Sequence, residues 1–431
     1  MQTMSQFVAS RTLFNLNWKG PTKKDRKRDP MPTLSNFTQF EGRYWDTAAV
    51  RNALDYQGVK APHSGAPYSE AMLLGLSGGI TFGYFTFHYK GYDPQVNLLT
   101  RNTFDPMEMI FNRLKIPRDL RRSASADKGR QHLIEALEAG YAPIASPDMW
   151  LLPYNALPYD EGMWGGMPLV IYGYEPEKGE AYISDRSRAP LTVRAEDLDK
   201  ARAHIKKERH RLLLLGAPAD GMLEDAIRGG IEDCVKLMTE KPPKGSAKNF
   251  GLRALAHWAE MLEKTGRGSW AKEYAGGRPL LAALTSAYTF LGPAFGKTVQ
   301  AERDVYADFL DEAAGALGVT ALSDVAAAYR IAAEAWAGLL NSLLPGDAPM
   351  LGEAREAIDN RTELFIESGA ARLDEIIAQR DRLEALKAAS EGDFPLSEAE
   401  IADLRAGIRD QVLRVRDAEE AAVMALKASG V

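Results

Sequence analysis

Along residues 31–215 the spacing of apolar and polar positions changes repeatedly, which predicts short helices and strands in alternation. In TAAVRNALDYQG, Ala48, Val50, Leu54 and Tyr56 fall at helical spacing, with Thr47 as the cap and Gly58 as the stop. HSGAPYSEAMLLGLSGG predicts a loop, a short apolar helix from near Ser69, and a turn at Gly75, Gly78 and Gly79. ITFGYFTFHY is aromatic and β-prone, and Gly83 within it permits a bend or a close backbone approach. A helix follows over 106–115. The basic stretch from Lys115 to Arg130 reads as a solvated loop, with an anionic-ligand or partner patch as the alternative. A short apolar strand should end near Asp148. GGMPLVIYGYEPEKGEAYISDRS predicts a hairpin, 168–174 against 180–184 across PEKG, with Asp185 where the second strand stops. AEDLDKARAHIKKE has a helical pattern, and HRLLLLG closes the region as a strand.

After Gly216 the period becomes helical throughout, over 220–238, 248–264, 277–292, 300–316, 320–342, 353–388 and 397–427, with a break near Gly369. KPPKGSAKN, 241–249, reads as a linker. Ser397 and Glu400 have capping-box spacing ahead of Ile401, Leu404 and Ile408. With Leu373, Ile376, Ile377, Leu383 and Leu386 they predict a long antiparallel pair over 353–427. The fold class is therefore α+β: a mixed domain over 31–216, then a mainly helical domain over 217–431.

Composition narrows the function classes. The net charge of -6 gives no electrostatic reason to expect nucleic acid as a partner. The one basic cluster, in GPTKKDRKRDP, belongs to an expected flexible extension over residues 1–30. No run approaches the roughly 20 apolar residues of a membrane span, so no membrane partner is expected. The single cysteine, Cys234, excludes an internal disulfide and fits a reducing, cytoplasmic setting. It lies in a helical context, where a buried packing role is expected. None of the six histidines forms HxxxH or HExxH, so no metal is expected; His204 and His210 read as solvent-facing. LSGGITFG is neither a Walker loop nor a dinucleotide fingerprint, and no cofactor is implied.

The candidate chemistry lies in carboxylates and aromatics. Asp46, Asp148, Asp160, Glu161, Glu175 and Asp185 all fall at element ends or loops. A pair of them could activate water or hold an amine, and capping is the competing role. Tyr44, Trp45, Tyr84, Phe85, Trp150, Tyr154, Tyr159 and Trp164 are dense enough to line a pocket, or to form an interdomain core.

TAAVRNALDYQG, SEAMLLGLSGGITFGYF, PDMWLLPY and GGMPLVIYGYE followed by ISD, in this order, resemble the butirosin biosynthesis protein H family. NFGLRALAHWAEML looks like the start of that family's helical companion domain, and the resemblance extends over about 40–345. It implies a papain-like, C39-peptidase-like N-terminal domain. It also implies a cysteine acyltransferase that moves an aminoacyl group from a carrier protein to an amine through a thioester. The family's His-Cys pair corresponds to Tyr44 and Trp45, with Thr47, Arg51 and Asn52 keeping the surroundings. Its second histidine corresponds to Met167 and its orienting acid to Asp185; Asp148 matches the acidic position before LPY. Neither Trp45 nor Met167 can supply a thiolate or move a proton.

Two functional readings follow. One is a catalytically silent relative that binds a small molecule or protein partner in a cleft remodelled by Tyr44, Trp45 and Met167, with Thr47, Trp150, Tyr154 and Trp164 around it. The other is a non-cysteine enzyme that uses Asp46, Asp148 or Asp185 with Tyr44 or Thr47 on an amine- or amide-containing molecule, by acyl transfer or hydrolysis. Trp45 and Met167 are expected near one another. Self-association through the helical half is a further possibility left open by its composition.

Overall fold

The computed structural model describes residues 32–157, 162–240, 248–295 and 298–431. The expected extension 1–30, Tyr159, Asp160, Glu161 and most of the linker over 241–249 lie outside the described residues. In chain order, Trp45–Tyr56 (α1) and Glu70–Leu76 (α2) precede a hairpin of Ile80–Phe87 (β1) and Gln95–Arg101 (β2). Pro106–Arg113 (α3), Arg118–Arg121 (β3), Ala126–Glu138 (α4) and Ile144–Ala145 (β4) follow. Next come Leu169–Glu175 (β5), Glu180–Ser184 (β6), Leu191–Arg194 (β7), Ala195–His204 (α5) and Leu212–Leu215 (β8). Among the described residues the rest is helical: Leu223–Thr239 (α6), Gly251–Glu263 (α7), Trp270–Glu273 (α8), Gly277–Leu291 (α9) and Arg303–Leu317 (α10). Ala321–Leu343 (α11), Pro349–Ser368 (α12), Leu373–Ala389 (α13) and Glu398–Ala428 (α14) complete it. The class is α+β followed by a mainly helical region.

Six strands form one antiparallel sheet in the order β3-β8-β4-β5-β6-β7. The predicted hairpin is β5–β6, and Glu175 pairs with Glu180 across the turn. LLLL of β8 is wholly buried because the strand lies inside the sheet, between β3 and β4. Gly173 sits at a register shift in β5, where Thr33 bridges to it; a Cβ there would lie 2.4 Å from the Tyr182 ring.

Two expectations need correction. The basic stretch 115–130 holds β3 and the start of α4, rather than a loop. Ser125 caps α4 by accepting from the Lys128 N–H at 3.3 Å. Three of its four arginines are partnered within the fold, Arg118 with Glu108 (2.6 Å), Arg121 with Asp119 (2.8 Å) and Arg130 with Asp199 (3.1 Å). RDLR is a sheet edge with little burial, so no apolar alternation marked it. The antiparallel pair expected from the last two amphipathic runs is also rearranged: α13 lies on α12, and α14 lies along α11 and α7. Of α13 only Ile376 is buried, so its apolar positions define no strong seam. Finally, of the two roles open to the aromatic set, Tyr84 and Phe85 take the core one. Tyr84 stacks on Trp258 at 5.8 Å and accepts from Trp270 Nε1 at 3.0 Å, while Phe85 packs edge-on to Phe250.

Both cores draw on both halves of the chain. One joins the sheet, α1 to α4, α6 and α10; the other joins Phe82, Tyr84, Val96 and Leu98 of the β1–β2 hairpin to Trp258, Tyr288 and Trp336. The hairpin is tied down by charge as well as by apolar burial. Arg303 and Glu419 form an ion pair with both side chains fully buried. Arg303 donates to the Thr100 carbonyl (2.7 Å) and the Thr81 carbonyl (2.9 Å), and Trp336 Nε1 donates to Glu419 (2.5 Å). Residues before α10 adopt left-handed backbone, Ala301 at φ 51° and Glu302 at φ 68°, turning two successive charged side chains inward.

Removing one partner of such a pair leaves an uncompensated buried charge. Glu419→Gln and Arg303→Met should each destabilise by about 3–5 kcal/mol, and the Arg303→Met/Glu419→Leu double variant by less than the sum. Urea denaturation followed by tryptophan fluorescence measures this; additive losses would show that the two groups do not act as a pair.

Candidate functional site

The first turn of α1 is organised from outside itself. Tyr44 is the N-cap and makes no side-chain capping bond. Thr47 lies inside the helix, so neither it nor Asp46 is the cap expected from the sequence. Glu70, at the start of α2, holds the entry to α1 instead: its carboxylate accepts from the N–H of Arg43 (3.0 Å), the N–H of Tyr44 (2.9 Å) and Thr47 Oγ1 (2.7 Å). Arg101, at the end of β2, lies over the Tyr44 ring at 3.5 Å and donates to Thr47 Oγ1 at 3.4 Å. Glu302 neutralises Arg101 through a buried ion pair, and Arg101 Nε donates to it at 2.9 Å. Burial pushes the Tyr44 hydroxyl far above its ordinary range, with the Arg101 charge opposing, so it is held protonated.

Trp45, where the resemblance places a nucleophile, is 5% exposed. Its indole packs edge-on to Tyr44 at 5.6 Å and lies beneath the Arg186 guanidinium, 4.4 Å from the ring centroid. Arg186 in turn is bound by Asp185 (Nε to Oδ1, 3.1 Å) and by Asn155 Oδ1 (2.8 Å). Tyr154 donates to Asp185 Oδ2 at 2.8 Å and stacks on Phe365 at 5.7 Å. Burial holds the Tyr154 hydroxyl far above its usual range, with Asp185 adding to the effect. Trp45, Asp185, Tyr154 and Arg186 thus form one packed cluster.

Asp148 belongs to a second group. It is fully buried and accepts from the N–H groups of Trp150 and Gly165, both at 3.1 Å. Its other oxygen lies 2.5 Å from His204 Nδ1. The sequence reading placed His204 and His210 at the surface. His204 is exposed as expected, and is paired with Asp148 from there, whereas His210 is 2% exposed, its N–H donating to the Arg202 carbonyl. Trp150 is half-buried beside Asp148. Met167 is half-buried as well, and its N–H donates to the Pro147 carbonyl at 3.1 Å.

An open cleft of about 220 Å³ lies beside these groups, lined by Asp46, Ser146, Trp164, Gly166, Pro168 and Lys207 among others. Gly166 and Pro168 flank Met167, so the start of α1 and the approach to β5 face a common space. Of the three carboxylates singled out in the sequence only Asp46 reaches it. Asp148 and Asp185 are spent on backbone donors, His204, Tyr154 and Arg186. Asp46 makes no hydrogen bond or ion pair among the described residues, and burial pushes its carboxyl up to about 6, with Arg101 pulling the other way. Trp164 is 49% exposed and stands under Lys207, whose ammonium lies 5.9 Å from the ring centroid.

The family model for butirosin biosynthesis protein H, N-terminal, matches residues 45–186. That segment is similar to this family. The butirosin H-type match begins at Trp45 and ends at Arg186, the two side chains that pack face to face. No curated protein matches the chain. Cys234, outside the butirosin H-type segment, is buried in α6 and donates to the Ile80 carbonyl at 3.4 Å. Burial pushes its thiol up to about 11, so it is no substitute nucleophile. Among the described residues no cluster of His, Cys, Asp or Glu is arranged to hold a metal ion, and no helix is long and apolar enough to cross a membrane.

Three residues that organise the site were absent from the sequence reading, Glu70, Arg101 and Arg186, and His204 was read there without its partner Asp148. Each acts on a partner far along the chain, except that Arg186 follows Asp185 directly in ISDRS, the only local signal.

Two outcomes follow. In the folded protein Cys234 should resist a thiol reagent such as DTNB and react fully after denaturation; rapid labelling of native protein would show that the thiol is accessible. Asp46 titrates higher folded, about 6, than its ordinary 3.8, so the native state binds the proton more tightly and stability is lost as pH rises from 3.8 through 6. Asp46→Asn should therefore raise stability by about 1–3 kcal/mol at pH 7, allowing for solvent screening, and change little below pH 4. Urea midpoints at the two pH values check the sign.

Proposed function

We propose that the chain is a catalytically silent relative of the cysteine acyltransferases its N-terminal domain resembles, and that the cleft beside Trp45 binds a small molecule carrying a protonated amine. The observation that carries this reading is Asp46, an unpaired carboxylate at the cleft wall, one residue beyond the position where a nucleophile would stand. Around it Glu108 is neutralised by Arg118 and Glu208 by Arg211 (3.2 Å). Asp105, exposed at the start of α3, adds a second carboxylate without a side-chain partner, against one cation, Lys207. The exposed face of Trp164 offers an apolar or cation–π wall. An ammonium group replaces the missing partner of Asp46 and offsets part of the cost of ionising it there. A cytoplasmic location, suggested by the single buried thiol, belongs to the same proposal.

A second reading, an enzyme with replaced chemistry, draws on one observation. The Asp148 carboxylate orients the His204 imidazole as in an acid–base pair. Asp148 and His204 are absent from the cleft lining, however, and no second unpaired carboxylate from the sequence set joins Asp46.

The test compares benzylamine with its neutral counterpart benzyl alcohol, followed by tryptophan fluorescence with Trp164→Phe as the control. The amine should bind at least about tenfold more tightly. Its affinity should rise with pH through a midpoint near 6, since the carboxylate that attracts it is charged only above that value. Asp46→Asn should abolish both the preference and the pH dependence. Equal binding of the two compounds at pH 7.5 would contradict the proposal.

A further inference from the structure

A second, smaller cavity lies between the sheet-bearing part of the chain and the α12–α13 pair. It has room for about 30 Å³ and is lined by Tyr154, Asn155, Arg186, Arg361, Thr362 and Phe365, with aliphatic side chains closing it. By the measure that one water needs roughly 10–15 Å³, this admits a group of a few atoms rather than a whole metabolite. Its charge is unbalanced. Arg186 is neutralised by Asp185, and its guanidinium is held between two aromatic faces, 4.4 Å from the Trp45 centroid and 4.6 Å from that of Phe365. Arg380, on α13, is neutralised by Asp381 at 2.7 Å. Arg361, on α12, makes no hydrogen bond or ion pair among the described residues. Glu384 is the acid within electrostatic reach of it, and Glu384 is bound to Lys387 at 2.9 Å.

An arginine partly withdrawn from water, facing two further arginines and lacking a counter-ion, is unfavourable in the empty protein. Burial lowers the pKa of Arg361, and the charges of Arg186 and Arg380 lower it further. Two features make the same place favourable for an anion. The planar guanidinium presents paired N–H donors that fit the oxygens of a carboxylate or phosphate. The cavity opens beside it, and Tyr154 and Asn155 add polar atoms to the wall.

We propose that this cavity binds the oxyanion end group, phosphate or carboxylate, of a small-molecule ligand, with Arg361 as its principal cation and Arg186 beside it. The site shares no lining residue with the Asp46 cleft and does not depend on the amine reading. Its Arg186 wall is the guanidinium that covers Trp45, so a ligand here lies one side chain away from Trp45.

The test is thermal unfolding and calorimetric titration of the full chain with sodium phosphate and with sodium acetate, each against sodium chloride at matched ionic strength. At least one oxyanion should produce a saturable rise in Tm of roughly 2–4 °C that chloride does not. A response to phosphate alone identifies a tetrahedral group, and a response to acetate identifies a carboxylate. Arg361→Gln should lose the saturable response while melting no lower than the parent in chloride, because it removes an uncompensated cation. Arg361→Lys should retain part of the response. Asp46→Asn should leave it unchanged, which separates this site from the amine cleft. The same shift with phosphate, acetate and chloride would overturn the proposal, as would an Arg361→Gln variant that melts lower in chloride and still responds to phosphate.

Discussion

The pairing of Arg101 with Glu302 is the constraint on which the site depends. Arg101 ends β2 and Glu302 begins the turn into α10, so the bond joins the hairpin to the helical region. The same guanidinium covers Tyr44 and reaches Thr47, which fixes the first turn of α1 against Glu70. One residue after Glu302, Arg303 pairs with Glu419 of α14 and gathers the carbonyls of Thr81 and Thr100. Two consecutive residues in α10's entry therefore hold both ends of the hairpin. The left-handed backbone at Ala301 and Glu302 is what allows both to point inward. Buried pairs of this kind contribute little net stability over an apolar core, and their value here is positional.

That position has a chemical consequence. The resemblance places a nucleophile at the start of α1, and this chain presents an indole there. Trp45 is covered by Arg186 and by Tyr44, and Asp185, which the resemblance matches to an orienting acid, neutralises Arg186. Trp45, Asp185 and Arg186 form a self-satisfied cluster, beside a cleft whose wall carries Asp46, a carboxylate with no side-chain partner among the described residues. Asp46 is tolerated in its ionised form at neutral pH at a cost in stability, the kind of local conflict that marks functional positions.

Much of the architecture was legible because it rests on local pattern. The hairpin across PEKG, the capping box at Ser397 and Glu400, and the break at Gly369 each involve residues within a few positions of one another, and all are present. β3 was hidden because an edge strand reading Arg-Asp-Leu-Arg carries no apolar period, and α13 because its burial is confined to Ile376. The site was legible as a place but not as an arrangement. The resemblance located Tyr44 to Thr47, while the partners that decide what each residue does lie far away in sequence: Glu70, Arg101, Arg186 and Glu302. Asp148 and Asp185 looked equivalent to Asp46 as acids at element ends. Only burial and donor geometry separate a carboxylate that is spent from one that is available.

The most direct measurement is the titration of the Asp46 side-chain carboxyl by carbon-13 NMR between pH 3 and pH 8, assigned with Asp46→Asn. A midpoint near 6 is expected for the free protein, falling toward ordinary aspartate values when benzylamine is bound, because a neighbouring ammonium favours the ionised form. A midpoint near 3.8 in the free protein, unmoved by the amine, would show a solvated carboxylate with no part in the cleft and would contradict the account.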